Sequence, residues 1–353
     1  MNLIRNYIIN KNRTVLNSVK KLKKEISING YKESRNPEGN FSYAPGICLD
    51  HKNFIYILDH STSSIKKFDE KGEFITSFCS NGSGPGEVNN SFDITNLGDT
   101  IYIQDTEQAR MAMFTRSGEF IKFKNLPNGE LPMFLRKVGM DKFLGYSQTW
   151  QDDENRTTFY LNLYDSNFKK IKSLFKKTKK IGNRAINYFE RFPVFTVSDS
   201  LIYLSTNSTK LYEIDVYSLN GEFKHKITRG YRKLLFGEKE LKDIIPDLKR
   251  VTGASTNKNI KIEKRSINGL FYNNDSLWVL YSVDRDDKNN NLFFDIFKNG
   301  ILVEKVKIIN NQFKHKDLFN LNSYIYKIEN DIIYYLDCDN SKVELYEIVD
   351  RDD

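Results

Sequence analysis

Four aspartates, Asp59, Asp105, Asp284 and Asp337, follow short apolar runs in corresponding positions of this sequence. Carboxylates that gather on one face of a fold can bind a divalent cation such as Ca²⁺, or a basic ligand. Alternatively, each aspartate closes its own turn by accepting hydrogen bonds from nearby backbone N–H groups. The aspartate recurs in every clear copy of a segment that is repeated along the chain, and this recurrence favours turn closure. We therefore expect no cofactor and keep Ca²⁺ or another divalent cation as the alternative.

Histidine, serine and cysteine chemistry has little support in this chain. The four histidines, at positions 51, 60, 225 and 315, share no common spacing. The patterns Gly-x-Ser-x-Gly, His-Glu-x-x-His and Cys-x-x-Cys are absent from the sequence. His60, directly after Asp59, and Trp150, in a polar segment, are further candidates for a ligand-binding face. No catalytic residue is predicted, and the residues that would hold a metal stay unknown.

A glycine-rich loop with the sequence NGSGPGEV runs from Asn81 to Val88. Such a loop can cradle a phosphate when a helix N-terminus or a suitably placed lysine follows it. Here a strand, Ser91–Thr95, follows instead. We therefore predict that the loop makes a tight crossing between two structural units, formed by Gly82, Gly84, Pro85, Gly86 and Glu87.

Positive charge is concentrated in two segments of a chain whose net charge is +8. Residues 1–25 hold seven Lys or Arg and one Glu, and Lys169–Arg184 holds eight basic residues and no acid. Basic patches can bind nucleic acid, but the rest of the chain is nearly neutral, and solvated surface explains these patches better. We predict a basic N-terminal arm over residues 1–23 and no nucleic-acid partner.

Segments that would direct the chain to a membrane are not evident. No apolar window approaches the ~18–20 residues that span a bilayer, and the first residues lack the apolar core of a signal peptide. The three cysteines, Cys48, Cys79 and Cys338, lack metal-ligand spacing and fit buried thiols in a reducing compartment. We expect a cytoplasmic protein, or a periplasmic or cell-surface one if an export leader has been trimmed.

An internal repeat of 46 residues must position these side chains. Phe54–Cys79 aligns without a gap with Thr100–Asn125. The matching pairs include Tyr56 with Tyr102, Asp59 with Asp105, and Gly72 with Gly118. Each copy has three apolar runs typical of strands, with a glycine at the last hairpin. With a short strand upstream, each copy makes a four-stranded antiparallel unit, the size of a propeller blade.

Weaker copies follow, beginning near Lys142, Leu201, Ser276 and Asp331, and bring the count to six. The last copy ends after three strands, and we predict that Lys24–Gly30 supplies its fourth strand and closes a ring. The predicted fold is all-β: one six-bladed β-propeller over residues 24–353, with a helical insertion at about 230–264. A β-sandwich or a two-domain fold explains the spacing less well.

The motif IYILD…IKKFDEKGEFITSF, followed by GSGPGEV, resembles NHL-repeat six-bladed propellers, especially those common in Bacteroides-like bacteria. The close match covers Ala44–Asn125, and the rest of the chain matches in strand rhythm. The resemblance implies the six-bladed ring. It also implies that many relatives are exported or lipid-anchored, a pattern from which this sequence departs because it shows no export leader.

Loop placement indicates where a partner would bind. In such a fold, the loops that enter blades and those that join second to third strands share one face. The elaborated segments Thr149–Thr157, Gly230–Lys264 and Asp284–Asn290 all fall on it. We therefore predict a monomeric, non-catalytic scaffold that binds a protein, peptide or small ligand on this face. The alternative is a hydrolase or lyase with a metal at the channel mouth, as in enzymes of this general shape.

Overall fold

The computed structural model describes most of the chain as strands and the turns between them. The described residues are 7–10, 15–30, 37–126, 131–151, 156–180, 193–238, 240–241, 262–284, 290–313, 323–338 and 340–351. Among these residues, no helix has the length and apolar character needed to cross a bilayer.

Six antiparallel units follow one another along the chain, as predicted, five with four consecutive strands and the last with three. Two strands, β1 (Tyr7–Asn10) and β2 (Leu16–Asn29), and a single 3-10 turn, η1 (Pro37–Gly39), come first. Blade 1 contains β3 (Gly46–Leu49), β4 (Ile55–Asp59), β5 (Ser64–Phe68) and β6 (Phe74–Phe78). The short strands β7 (Ser80–Asn81) and β8 (Glu87–Val88) lead to blade 2, which contains β9 (Ile94–Leu97), β10 (Thr100–Asp105), β11 (Arg110–Thr115) and β12 (Phe120–Asn125). Blade 3 contains β13 (Met133–Val138), β14 (Lys142–Gln151), β15 (Arg156–Asp165) and β16 (Lys170–Lys180).

The second half of the ring has the same design. Blade 4 contains β17 (Val194–Val197), β18 (Leu201–Ser205), β19 (Tyr212–Ser218) and β20 (Phe223–Arg229). Blade 5 contains β21 (Ile267–Asn273), β22 (Ser276–Tyr281), β23 (Leu292–Lys298) and β24 (Ile301–Ile309). Blade 6 contains β25 (Ser323–Glu329), β26 (Ile332–Asp337) and β27 (Lys342–Asp350). Within every blade the strands pair in chain order.

Within the described ranges, the hydrophobic core forms six clusters, each between two neighbouring blades. Pairs that represent these contacts are Tyr56 and Ile101, Tyr102 and Phe143, Leu163 and Ile202, Ile214 and Val279, Phe294 and Tyr346, and Leu336 and Ile47. Because blade 6 packs against blade 1 as well as blade 5, the ring is closed, and blades 3 and 6 lie opposite each other. The first strands lie nearest the axis, where β3 contacts β9, β9 contacts β13, β13 contacts β17, β17 contacts β21 and β21 contacts β25.

The predicted N-terminal closure is confirmed. Residues Lys20–Asn29 of β2 pair antiparallel with β27, which supplies the fourth strand of blade 6. The strand begins at Leu16, earlier than the predicted Lys24, and Leu16–Lys21 pair in parallel with β24 of blade 5. One eight-stranded sheet therefore joins blades 5 and 6. Residues 16–23, expected in a basic arm, are strand because Leu22 packs into the core between these blades while the lysines face solvent.

The lysine-rich segment forms the outer edge of blade 3. Strand β16 carries six lysines in eleven residues and is the last strand of its sheet. An unpaired strand edge is a template for aggregation, and lysines on the edge oppose such pairing. Protection of this long edge is therefore a structural role for these lysines.

All three predicted loops differ from expectation or lie partly outside the described residues, and of Asp284–Asn290 only residues 284 and 290 are described. Thr149–Thr157 was expected to be a loop, but β14 and β15 continue to Gln151 and from Arg156, with Trp150 paired to Thr157. Threonine and tryptophan favour paired strands, which explains the longer hairpin. Of the insertion at 230–264, the described part holds helical residues at 238 and 240–241. The buried Lys264 anchors it, because its Nζ donates to Glu240 Oε1 at 2.6 Å.

Candidate functional site at the central channel

Asp59 lies in a closed network of hydrogen bonds at the end of β4. Its Oδ1 accepts from the backbone N–H groups of Ser42, Tyr43 and Ser61, each at 3.3 Å. Its Oδ2 accepts from Thr62 Oγ1 at 2.6 Å. The carboxylate therefore closes the turn after β4 and fixes the segment that enters blade 1.

The other predicted aspartates also have local partners. Asp105 is buried and forms an ion pair with Arg110 Nε at 2.8 Å. Asp337 accepts from the backbone N–H and side-chain amide of Asn340 at 3.2 and 2.8 Å. Asp284 is exposed and pairs with Arg232 Nη2 at 2.6 Å. Across the described parts of the chain, no three His, Cys, Asp or Glu side chains come together as a metal site.

His60 and Trp150 lie in different environments. The Nδ1 of His60 donates to the carbonyl of Ser91 at 2.8 Å, and the ring stacks on Phe92 with centroids 4.2 Å apart. His60 thus joins blade 1 to the segment entering blade 2. Trp150 is exposed near the tip of the β14–β15 hairpin. The two side chains therefore lie in separate settings, His60 between blades 1 and 2 and Trp150 at a hairpin tip of blade 3.

The glycine-rich loop folds around its own glutamate. Glu87 Oε2 accepts from the N–H of Gly84 at 2.8 Å, and β7 and β8 form a short parallel pair that brings the two ends of the loop together. A side chain at Gly82 would collide with this carboxylate, since a Cβ there would lie 2.2 Å from Oε2. Gly86 has a φ of +83° and supplies the left-handed residue next to Pro85. The loop connects blade 1 to blade 2.

A cluster that sequence inspection did not single out lies at the axis. Arg136 on β13 places its Cζ 4.6 Å from the centroid of the Tyr326 ring on β25. Since blades 3 and 6 are opposite, this cation–π contact crosses the central channel. A β-bulge between Met133 and Arg136 precedes the arginine, and Phe134 within it has a φ of +51°. Bulges commonly re-aim side chains next to functional sites.

Asp93 supplies a negative group to this cluster from blade 2. Its Oδ2 accepts from the backbone N–H of Leu135 at 2.6 Å. Burial raises the pKa of Asp93 to about 6, although the Arg136 guanidinium and two backbone N–H groups oppose the rise. Cys48, from blade 1, is also buried here, and desolvation, followed by the charge of Asp93, raises the pKa of its thiol. The carboxyl is therefore close to half protonated near pH 6.

A second cation approaches the same region from the entry to blade 5. Arg265 donates through Nε to Asn268 Oδ1 at 3.1 Å and through Nη2 to the Asn268 carbonyl at 3.2 Å. Burial raises the pKa of the Tyr146 hydroxyl, while the guanidiniums of Arg136 and Arg265 both oppose that rise. The hydroxyl of Tyr146 donates to the carbonyl of Pro193, which leads into blade 4. All six blades thus contribute to this group, which we call the axial cluster: Cys48, Asp93, Arg136, Tyr146, Pro193, Arg265 and Tyr326.

The charge of the axial cluster favours an anion. Two guanidiniums share it with one buried carboxyl whose pKa is about 6. Arginine binds carboxylates and phosphates through paired N–H donors, and the interaction is stronger where water is excluded. Arg136 and Tyr326 keep part of their surface accessible. The arrangement can therefore hold a carboxylate or phosphate group at the axis.

The pH dependence of stability tests the buried state of Asp93. Its folded pKa of about 6 lies above the ordinary value of about 3.9, so the folded state binds more protons between these values. The contribution of Asp93 to the free energy of unfolding is therefore greatest below pH 4 and is lost as the pH rises through 6. We expect Asp93→Asn to gain about 3 kcal/mol relative to wild type between pH 4 and pH 7.5 in urea unfolding. The matched control is Asp141→Asn, at an exposed carboxylate. Parallel pH curves for wild type and Asp93→Asn would contradict the assignment.

Comparison with known proteins agrees with the fold. The model of the 6-bladed beta-propeller family DUF5128 matches residues 44–333. A DUF4221 family member from Bacteroides vulgatus superposes with a TM-score of 0.52 at 11% identity, over 93% of this chain and 98% of that chain. A putative exported protein from Bacteroides fragilis gives 0.50 at 12% identity, over 96% and 98%. Virginiamycin B lyase from Staphylococcus aureus gives 0.43 at 11% identity, over 94% and 100%. No curated protein matches the chain.

Proposed function

The chain belongs to the 6-bladed beta-propeller family DUF5128, and from this premise we propose that it is a non-catalytic recognition scaffold for an anionic group. The ligand is a carboxylate or phosphate carried by a protein, a peptide or a small molecule. It reaches the axial cluster from the loop-rich face and is held by Arg136 and Arg265. The low-identity likeness to other propellers supports the fold alone, so the proposal depends on the side chains of this chain.

The observation that carries the proposal is the cation–π contact of Arg136 with Tyr326 across the channel, at 4.6 Å. The contact orients the guanidinium at the point where the residues of the axial cluster meet, with side chains from five blades and the Pro193 carbonyl from the entry to blade 4. Asp93 lies within range of Arg136 and competes with an incoming anion while it is ionised. Protonation of Asp93 removes that competitor. Ligand affinity should therefore rise as the pH falls from 7.5 to 5.5.

Arg136→Gln tests the proposal directly. We expect citrate, glutamate or inorganic phosphate to stabilise the wild-type protein in a thermal-shift panel, and calorimetry to give its Kd. Loss of a charged hydrogen bond costs about 1.5–3 kcal/mol, so Arg136→Gln should weaken that Kd at least about tenfold. Arg232→Gln is the matched control, because Arg232 is exposed on the same face.

Two outcomes would overturn this function. One is the absence of any thermal shift with the three anions, and the other is an equal Kd for wild type and Arg136→Gln. The same panel with Ca²⁺, Zn²⁺ and EDTA addresses the alternative of a propeller hydrolase or lyase with a metal at the channel mouth. Stoichiometric metal in the purified protein, together with a large loss of stability in EDTA, would favour that alternative.

A further inference from the structure

Strand β1 is added to blade 4 from outside its meander. It pairs in parallel with β20, from Tyr7 opposite Lys226 to Asn10 opposite Arg229. The blade thereby becomes a five-stranded sheet with β1 at its outer edge. The outer edge of β20 is therefore able to accept an extended segment, and the parallel pairing of β1 shows how such a segment lies.

A small number of contacts hold β1 in place beyond its four paired residues. The Asn10 side chain donates to the Gly300 carbonyl at 3.0 Å and accepts from the Leu302 N–H at 2.8 Å, both on the β23–β24 hairpin of blade 5. Ile8 packs onto Gly300 so closely that a Cβ there would lie 2.5 Å from Ile8 Cδ1. Tyr7 and Ile9 remain 46% and 61% exposed. Little apolar area therefore holds the strand, and pairing with a competing strand can replace it.

A cavity of about 720 Å³ lies beside β1 at the end toward which the strand runs. Tyr7 and Ile9 form one wall, and blade 4 supplies Leu211 and Tyr231 together with the cations Lys210 and Arg229 and the acid Glu213. The size is within the range of ligand-binding clefts. Arg229 is paired with Asp295 and Glu213 with Lys226, which leaves Lys210 as the cation that favours an acidic residue. With the apolar walls, this suits a segment with apolar residues followed by an acidic one. After Asn10 this chain continues with the basic residues Lys11 and Arg13, which match that charge poorly.

We propose that the outer edge of β20 is an acceptor site for an extended segment of a partner protein, and that β1 occupies it in cis. The preferred segment has an aliphatic residue and an asparagine in the places of Ile8 and Asn10, followed by an acidic residue that approaches Lys210. The partner adds in parallel to β20 and displaces β1. This interface is separate from the axial cluster and does not depend on anion binding there.

Peptide binding to the full chain tests the proposal. The probe is the fluorescent peptide RNYIINDD, and its control is RNYIINKN, the chain's own continuation. We expect the double variant Ile8→Ser, Asn10→Ala to bind RNYIINDD at least about tenfold more tightly than wild type does, because the internal competitor is weakened. Leu16→Ser, at an exposed position of β2 that pairs with β24 and not with β20, should behave as wild type. Lys210→Glu should abolish the preference for RNYIINDD over RNYIINKN.

Hydrogen exchange on the wild-type protein gives a second, independent measurement. With saturating RNYIINDD, the amides of residues 7–10 should lose protection while those of residues 226–229 keep it. The proposal fails if the double variant binds neither peptide, or if bound peptide leaves the exchange of residues 7–10 unchanged. Formation of a dimer by the double variant without peptide would assign the edge to a second copy of this chain instead.

Discussion

Ile28→Asp in β2 should leave the protein unfolded or aggregated at 25 °C, whereas Leu16→Asp in the same strand should leave it folded. Ile28 is 4% exposed and lies in the core between blades 6 and 1, while Leu16 is 65% exposed. An unpaired carboxylate in such a core costs several kcal/mol, a large part of the about 5–15 kcal/mol that stabilises a domain. Matched substitutions separate the burial effect from a general loss of strand propensity.

The effect of Ile28→Asp should extend beyond one contact because β2 covers two blades. It pairs with both β24 and β27, so its release uncovers the outer edges of blades 5 and 6. Exposed strand edges pair with other molecules. Size-exclusion chromatography should show aggregates for Ile28→Asp and a wild-type profile for Leu16→Asp, with circular dichroism melts in agreement. A melting temperature for Ile28→Asp within a few degrees of wild type would show that β2 does not close the ring.

Arg229→Met should destabilise the protein by about 3–5 kcal/mol at pH 7 because it leaves a buried carboxylate without its cation. Arg229 Nε pairs with Asp295 Oδ2, and the Tyr212 hydroxyl donates to the same oxygen at 2.7 Å. The guanidinium lies between the rings of Tyr212 and Tyr281, with its Cζ 4.3 and 4.7 Å from their centroids. Asp295 is fully buried, and its Oδ1 has no hydrogen-bond partner among the described residues. The pair therefore joins blades 4 and 5.

Two further variants test whether the loss of stability in Arg229→Met comes from the unpaired charge of Asp295. Arg232→Met removes an exposed ion pair with Asp284 and should stay within about 1 kcal/mol of wild type. Adding Asp295→Asn to Arg229→Met removes the stranded charge and should recover part of the lost stability. Burial raises the pKa of Asp295, while Arg229 opposes the rise, so the cost of Arg229→Met should shrink as the pH falls and the carboxyl protonates. Urea unfolding at pH 7 and pH 5 measures the rescue by Asp295→Asn and the pH dependence. A free energy of unfolding for Arg229→Met equal to that of wild type would contradict a stabilising role for the Arg229–Asp295 pair.

The blades were predictable because each is a local meander. Blades 1 and 2 each have the four strands that the repeat predicts, and Gly72 and Gly118 have the positive φ that their hairpins need. These features depend on residues within about one repeat, so a 46-residue spacing reveals them. The closing strand was also predictable, since the last copy has only three strands of its own. Its early start at Leu16 was missed because the lysines concealed the alternation that buries Leu22 and Ile28.

The recurring aspartates show why an internal repeat does not identify a ligand-binding site. Asp59 and Asp105 were considered as part of a carboxylate ring, but the structure gives each one partners in its own turn or strand. A residue that recurs in every blade serves what every blade needs, which is its turn. A ligand-binding group serves one place only, so it has no repeat by which to be recognised. The ligand-binding role of the loop-rich face stays a prediction.

The sequence alone therefore determined the number of blades, their strand order and the closure, because hydrogen bonding within a blade and glycine at a hairpin are short-range requirements. Only the tertiary structure decided which side chains share the axis. Arg136, Asp93, Arg265 and Tyr326 come from four different blades and have no common spacing. Closing the ring brings them together and buries Asp93, and this burial, not the residue type, raises its pKa toward 6.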